Sequence, residues 1–395
     1  MSSWLPSFLH KKETKFPLPE LPDRPMKNVL QLMEDMEIIK LSTLSKKMSK
    51  SVGKCDFKPL SYQVDVLDRD PDVFTFFNER WISNVGLESR QLAIPDPAHI
   101  IQLIQTAFPD SQFLITMVIS KTDSLNFKIR EILLTDEVKK YCTKIIVHGG
   151  ALTVNELDLF INLRGLKREL VFDKTEFPLE YNHFNAFTGT NVIYEDARWI
   201  KISDLCGLES STESLNLGRN LFYSKHYNEL FKFHVNGDRD ICTNIQIDCV
   251  ESALNFEKMF EGIATLKVEK AGKTEVTMIH TNNITRKRPV MGISFKNTSK
   301  KTQICIQTYS INTEGNELQT KCYNILQKLN KKTDLEVELK QIETIEYALR
   351  GQEEVLKPIQ AKKTKITKEL KNVREELWEH AVYSVDGNAR ISPLD

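Results

Sequence analysis

"TKIIVHGGALTVNELDLFINL", residues 143–163, holds the reading that sets the fold. Its first half is β-branched and apolar through Ile145, Ile146 and Val147, then reaches Gly149-Gly150; it reads as a strand running into a glycine turn. Its second half reads as a helix, opened by Thr153 and Glu156 at capping-box spacing. A related unit follows: "YSKHYNELFKFHV" (223–235) as a helix, then "TNIQIDCV" (243–250) as a strand. Both helices contain N-E-L-x-x-F, at Asn155–Phe160 and Asn228–Phe233, which places a Leu and a Phe on one face. Upstream, "HIIQLIQTAF" (99–108) reads as a helix and "QFLITMVIS" (112–120) as a strand. Tandem strand–turn–helix units predict an α/β domain over residues 60–312. It is arranged either as a solenoid-like stack of the leucine-rich-repeat kind or as an ordinary open sheet.

The texture then changes. From about 264 to 312 the alternation is that of β-hairpins: "TLKVEKAGKTEVTMIHT" folds back around "KAGK", and "MGISFK" with "TQICIQTYSI" around "NTSKK". Residues 316–381 are rich in Lys and Glu and carry heptad-spaced apolar positions, Leu335/Ile342/Leu349 and Ile359/Ile366/Val373 with Leu370/Leu377. Gly351 and Pro358 are expected to interrupt the run, giving two helices. These would form an antiparallel coiled-coil-like hairpin, or a seam for self-association through 316–381. The tail, 382–395, reads as disordered.

Composition narrows the function. Among 395 residues, 54 Lys+Arg balance 54 Asp+Glu, so no general attraction to nucleic acid or an anionic membrane is expected. No uninterrupted apolar run suits a membrane span, and the opening "MSSWLPSFLHKKETK" lacks the layout of a secretory signal. Seven scattered cysteines without a CxxC pair fit neither a disulfide framework nor a zinc site. The expectation is an intracellular chain, cytoplasmic and/or nuclear, with no metal and no cofactor.

Catalytic motifs are missing. Gly272-Lys273-Thr274 resembles the end of a phosphate-binding loop, but Lys267 stands where that loop needs a glycine, and the flanks read strand–turn–strand. There is neither G-x-S-x-G nor G-x-G-x-x-G. His148 and His226 have no Cys, Asp or Glu neighbours at ligand spacing, and Cys242 and Cys249 read as opposite faces of one strand. "RKRP" (286–289) reads as a solvated loop between hairpins. The chain is therefore read as a non-enzyme.

Residues 16–56 are helical and poorly supplied with core. "FPLPELPDRPMKNVLQLM" (16–33) is a proline-stiffened apolar arm leading into a helix with Met26, Val29, Leu30 and Met33 on one face. Ile38, Leu41, Leu44, Met48 and Val52 continue the three- and four-residue spacing to Gly53. So few apolar residues call for a partner surface.

This segment resembles an F-box. Leu21-Pro22 corresponds to the leading Leu-Pro, Val29-Leu30 and Met33 to the first helix, Ile38 and Leu41 to the second, and Leu44-Ser45-Lys46-Lys47 to the stretch before a usual Trp, here Met48. The wider chain is similar to nematode-type F-box proteins with an F-box-associated domain. The shared features are the "F-P-L-x-x-L-P" arm, the helix "YSKHYNELFKFHVNG" with His234 near a usual Trp, and "NFEKMFEGI". The resemblance implies docking to a Skp-type adaptor, and through it a cullin-RING ligase, by Leu18, Leu21, Pro22, Val29, Leu30, Met33, Ile38, Leu41 and Leu44. It also implies a protein substrate held by the α/β domain.

Overall fold

The computed structural model describes residues 18–33, 35–55, 57, 61–67, 70–78, 91–92, 97–108, 111–118, 131, 133–163, 169–208, 212–249, 254–270, 274–283, 285–297, 301–380, 382–385 and 388–391. No helix among them is long and apolar enough to cross a membrane. The chain forms two compact units, one from described residues up to 144 and one from 145 onward.

The first unit opens with helices α1 (Asp23–Gln31), α2 (Asp35–Leu44) and α3 (Lys46–Gly53). Strands β1 (Ser61–Leu67), β2 (Asp70–Asn78) and β3 (Gln91–Leu92) follow, then α4 (Pro97–Ala107), β4 (Gln112–Val118) and α5 (Asp136–Tyr141). β1 lies parallel to β4 and antiparallel to β2, and β3 is antiparallel to β2.

β5 (Cys142–His148) spans the division at 144/145, and the second unit then takes in α6 (Val154–Asn162), β6 (Glu169–Asp173), β7 (Asn191–Asp196), α7 (Ile202–Cys206), β8 (Ser214–Arg219), α8 (Ser224–Asn236), β9 (Asn244–Cys249) and α9 (Phe256–Met259). The glycine turn after β5 forms as read: Gly149 and Gly150 sit at φ 81° and 74°, where an L side chain is strained. The capping box on α6 is present, with the Thr153 amide donating to Glu156 Oε2 at 2.8 Å. Strands β6, β7, β8 and β9 are parallel neighbours in strict chain order. Each buries alternate side chains, and the registers align them in two rows: Leu170, Val192, Leu215, Ile245 and Phe172, Tyr194, Leu217, Ile247. Sequential order without a switch of direction is what a solenoid-like stack requires, and past β9 the same sheet continues with antiparallel strands, making it mixed. An aromatic cluster fills one end of the rows, with Phe172 stacked on Tyr194 at 5.5 Å and Phe177 on Trp199 at 5.3 Å. In the two N-E-L-x-x-F helices, Leu157, Phe160 and Leu230 are fully buried, but in α8 it is Phe231 rather than Phe233 that goes deepest.

Beyond β9 the pairing turns antiparallel. β10 (Leu266–Lys270), β11 (Thr274–His280), β12 (Val290–Asn297) and β13 (Thr302–Tyr309) form the two predicted hairpins, with β13 seated on β9. Gly272 and Lys273 lie outside the described residues, while their flanks are antiparallel strands. Helices α10 (Glu317–Ala348) and α11 (Glu353–Glu379) then run antiparallel, as cross-pairs such as Lys328–Glu376 and Lys362–Glu338 require. Their heptad residues Leu335, Ile342, Ile366, Leu370, Val373 and Leu377 are buried in one core with Leu266, Val268 and Met278 of the ribbon. The seam is thus filled by the chain itself.

Four readings need correction. Gly351, at φ 96°, does separate the helices, but Pro358 lies inside α11 without ending it. The tail reading fails over the strands, because β14 (Val382–Val385) and β15 (Asn388–Ile391) pair antiparallel, β15 adding in parallel to β10 and burying Ile391; residues 386–387 and 392–395 lie outside the described residues. "RKRP" is no solvated loop at its first residue. Arg286 is buried, bonding Asp240 Oδ1 at 3.2 Å, the His234 carbonyl at 2.6 Å and His234 Nδ1 at 3.2 Å. Cys242 lies ahead of β9 rather than within it, and Cys249 shares the buried face of Ile245 and Ile247. Charge count could not reveal Arg286's burial, because its partner Asp240 is remote in sequence.

Candidate functional site: the N-terminal helical unit

The approach to α1 is a single 3-10 turn, Leu18–Glu20, closed by the Leu21 amide on the Leu18 carbonyl at 3.2 Å. Pro22 caps α1 with φ −57° and ψ 153°, and its carbonyl accepts from the Met26 amide at 3.0 Å. Asp23 then sits in the first turn, where the helix dipole favours a carboxylate, and Pro25 falls where no amide is needed. Met26 and Leu30, four residues apart, form the buried stripe of α1. The helix ends immediately after, leaving Leu32 88% exposed.

The apolar spacing from Ile38 to Val52 reads as continuous, but the structure breaks it. Ser45 ends α2's run and caps α3, its hydroxyl accepting from the Met48 amide at 3.1 Å. The break turns Leu44 outward, 72% exposed, while Ile38, Ile39, Met48 and Val52 stay inside. Ser42 is buried too, its hydroxyl donating to the Ile39 carbonyl at 2.6 Å. Met48, at the position of the usual Trp, is 2% exposed and serves as core filler.

The partner surface that this thin core calls for is supplied partly by the same unit. α2 and α3 pack against α4, whose Ile101 and Ile104 are buried. Gly53 approaches so closely that a Cβ there would stand 3.3 Å from the Thr106 carbonyl oxygen, and Phe57 meets Phe108 at 5.3 Å between ring centres. Beside α1 and α3 a small cavity of about 310 Å³ is lined by residues including Asp23, Lys27, Ser51 and Lys54. Cys55 borders it, and burial raises its thiol pKa.

The structure divides the nine sequence-chosen residues into three groups. Leu30 and Ile38 are core and cannot be reached from outside. Leu18, Leu21, Val29, Met33 and Leu41 are half-buried, and Pro22 and Leu44 are exposed. Leu32, exposed but not among the nine, lies off the periodic face of α1. Its signal was an apolar residue on the solvent side of an amphipathic helix.

The other motif residues act inside the second unit. Asn228 donates from Nδ2 to the Met259 and Glu261 carbonyls, both at 3.0 Å, tying α8 to the turn after α9. His234, near the usual Trp, is fully buried, and desolvation with the nearby Arg286 charge holds its pKa down to about 3. Gly237 ends α8 where a Cβ would stand 2.5 Å from the Phe233 carbonyl oxygen. His148 is isolated in sequence but meets Asp173, Nδ1 to Oδ2 at 2.5 Å, across neighbouring strands. Among the described residues, no group of three or more His, Cys, Asp or Glu is placed to hold a metal ion.

No curated protein and no solved structure matches the chain. Residues 18–60 match the F-box domain family, reaching past Gly53 to take in Cys55 and Phe57. The N-terminal helices are thus an F-box domain, an element that generally engages Skp-type adaptors of SCF ubiquitin ligases.

Proposed function

We propose that the chain is a non-catalytic substrate receptor of an SCF-type ubiquitin ligase. The F-box match over 18–60 carries this reading. It is supported by a helical unit that buries Met26, Leu30, Ile38 and Met48 yet leaves Leu32 and Leu44 in water. In this reading the adaptor covers those leucines and connects the chain to a cullin-RING ligase. The second unit holds a substrate protein, and the α/β portion is an F-box-associated domain of the nematode type. Ubiquitin transfer takes place elsewhere in the complex. The receptor contributes proximity, raising the effective concentration of a substrate lysine near the charged conjugating enzyme.

The test is direct binding of the purified full chain to a Skp-type adaptor, beside a Leu21→Asp, Pro22→Ala variant with its fold checked by circular dichroism. Binding by wild type alone supports the reading. A folded wild-type chain that does not bind the adaptor defeats it.

A further inference from the structure

The second unit contains a groove of about 760 Å³, within the range of ligand-binding clefts, walled by α8, the segment before β10 and the helical hairpin. Trp378 stands on its rim, 79% exposed, although Leu377 beside it is buried in the hairpin core. A large aromatic held in water by a rigid helix costs little side-chain entropy on binding, and such residues commonly anchor protein contacts. Among its polar lining residues Asn330, His280 and Asn282 are paired with one another, Asn330 Nδ2 donating to His280 Nε2 at 2.8 Å and to Asn282 Oδ1 at 3.2 Å.

The charge lining this groove is lopsided. Lys232, Lys332 and Arg374 face it against one carboxylate, Asp334. Arg374 and Lys332 share a single partner, Glu336, at 2.9 and 3.9 Å, and Lys232 has no ion pair among the described residues. An uncompensated cation and an exposed indole therefore line the same groove. We infer that this groove receives an acidic segment of a partner protein bearing a bulky apolar side chain, which lies against Trp378 while its carboxylates meet Lys232, Lys332 and Arg374. Acidic flanks answer the surplus cations, and the apolar residue covers the ring. The inference rests on the receptor reading and names the chemistry of the substrate segment.

The experiment uses the full chain and two fluorescein-labelled synthetic peptide pools. Each pool carries a central Leu, Phe or Met, flanked by randomised acidic positions in one and basic positions in the other. Anisotropy titration is expected to show binding of the acidic pool alone. That binding should weaken at least about tenfold in Trp378→Ala and, separately, in Lys232→Glu, both changes at the surface that leave the core untouched. The inference is overturned if neither pool binds, if the basic pool binds equally, or if both variants bind like wild type. Adaptor binding is measured on the same samples. Peptide binding without adaptor binding would sink the receptor reading and leave the groove standing, and the converse would do the opposite.

Discussion

Removing the two exposed leucines of the helical unit, in Leu32→Ala, Leu44→Ala, separates docking from folding. Leu32 and Leu44 are 88% and 72% exposed, so truncation costs the free protein almost nothing, within about 0.5 kcal/mol. If the adaptor covers both, each loses three carbons from the interface at about 0.8 kcal/mol per buried methylene, or about 2 kcal/mol per side chain. Together that is about 4 kcal/mol, roughly three orders of magnitude in Kd, since the entropic cost of association is common to both proteins. Leu30→Ala is the opposite case. Leu30 is fully buried, so its truncation should cost about 2–5 kcal/mol of stability and affect adaptor binding only through unfolding. Isothermal titration with a Skp-type adaptor and urea denaturation of all three chains decide the matter. Wild-type affinity in the double variant would refute the claim that these leucines are read by the adaptor, whatever Leu30→Ala does.

Other outcomes follow from the core. Arg286→Met should destabilise by about 3–5 kcal/mol in urea, because Asp240 and the His234 carbonyl lose a buried partner; Arg286→Met, Asp240→Leu should recover much of it. His234 has its pKa depressed from 6.5 to about 3, so the unfolded chain takes up a proton between those values that the folded chain refuses. That contribution to stability is complete above about pH 6.5 and is lost as pH falls, at up to about 1.4 kcal/mol per unit. His280, lowered mainly by burial, acts in the same direction, so His234→Gln should flatten but not abolish the slope seen in denaturation between pH 6.5 and 5. Because the heptad residues are buried within one chain, sedimentation should show no concentration-dependent mass that disappears on deleting 316–381. Truncation after Glu379 should lower the melting temperature, since it strips β15 from β10 and uncovers Leu266; an unchanged midpoint would count against that packing.

Local chemistry made much of this fold legible in the sequence alone. Gly149-Gly150, the Thr153–Glu156 box, the alternation of β10 to β13 and the two long helices are all specified by neighbours a few residues apart, and all formed. The F-box was legible for the same reason, as a short ordered pattern of apolar positions. What tertiary structure decided is which members of such a pattern face water. Leu30 and Leu32 differ by two residues and by everything in exposure, because α1 lays the Met26–Leu30 face on the core and leaves the opposite face in water, and Leu44 stands outside where Ser45 breaks α2 from α3. Arg286 and Asp240, His148 and Asp173, and the tail on β10 are joined across 46, 25 and more than a hundred residues. Periodicity carries no information about such pairings, since burial depends on what the rest of the chain places opposite. The groove beneath Trp378 has the same origin, its walls coming from segments that meet only once the hairpin packs on the ribbon.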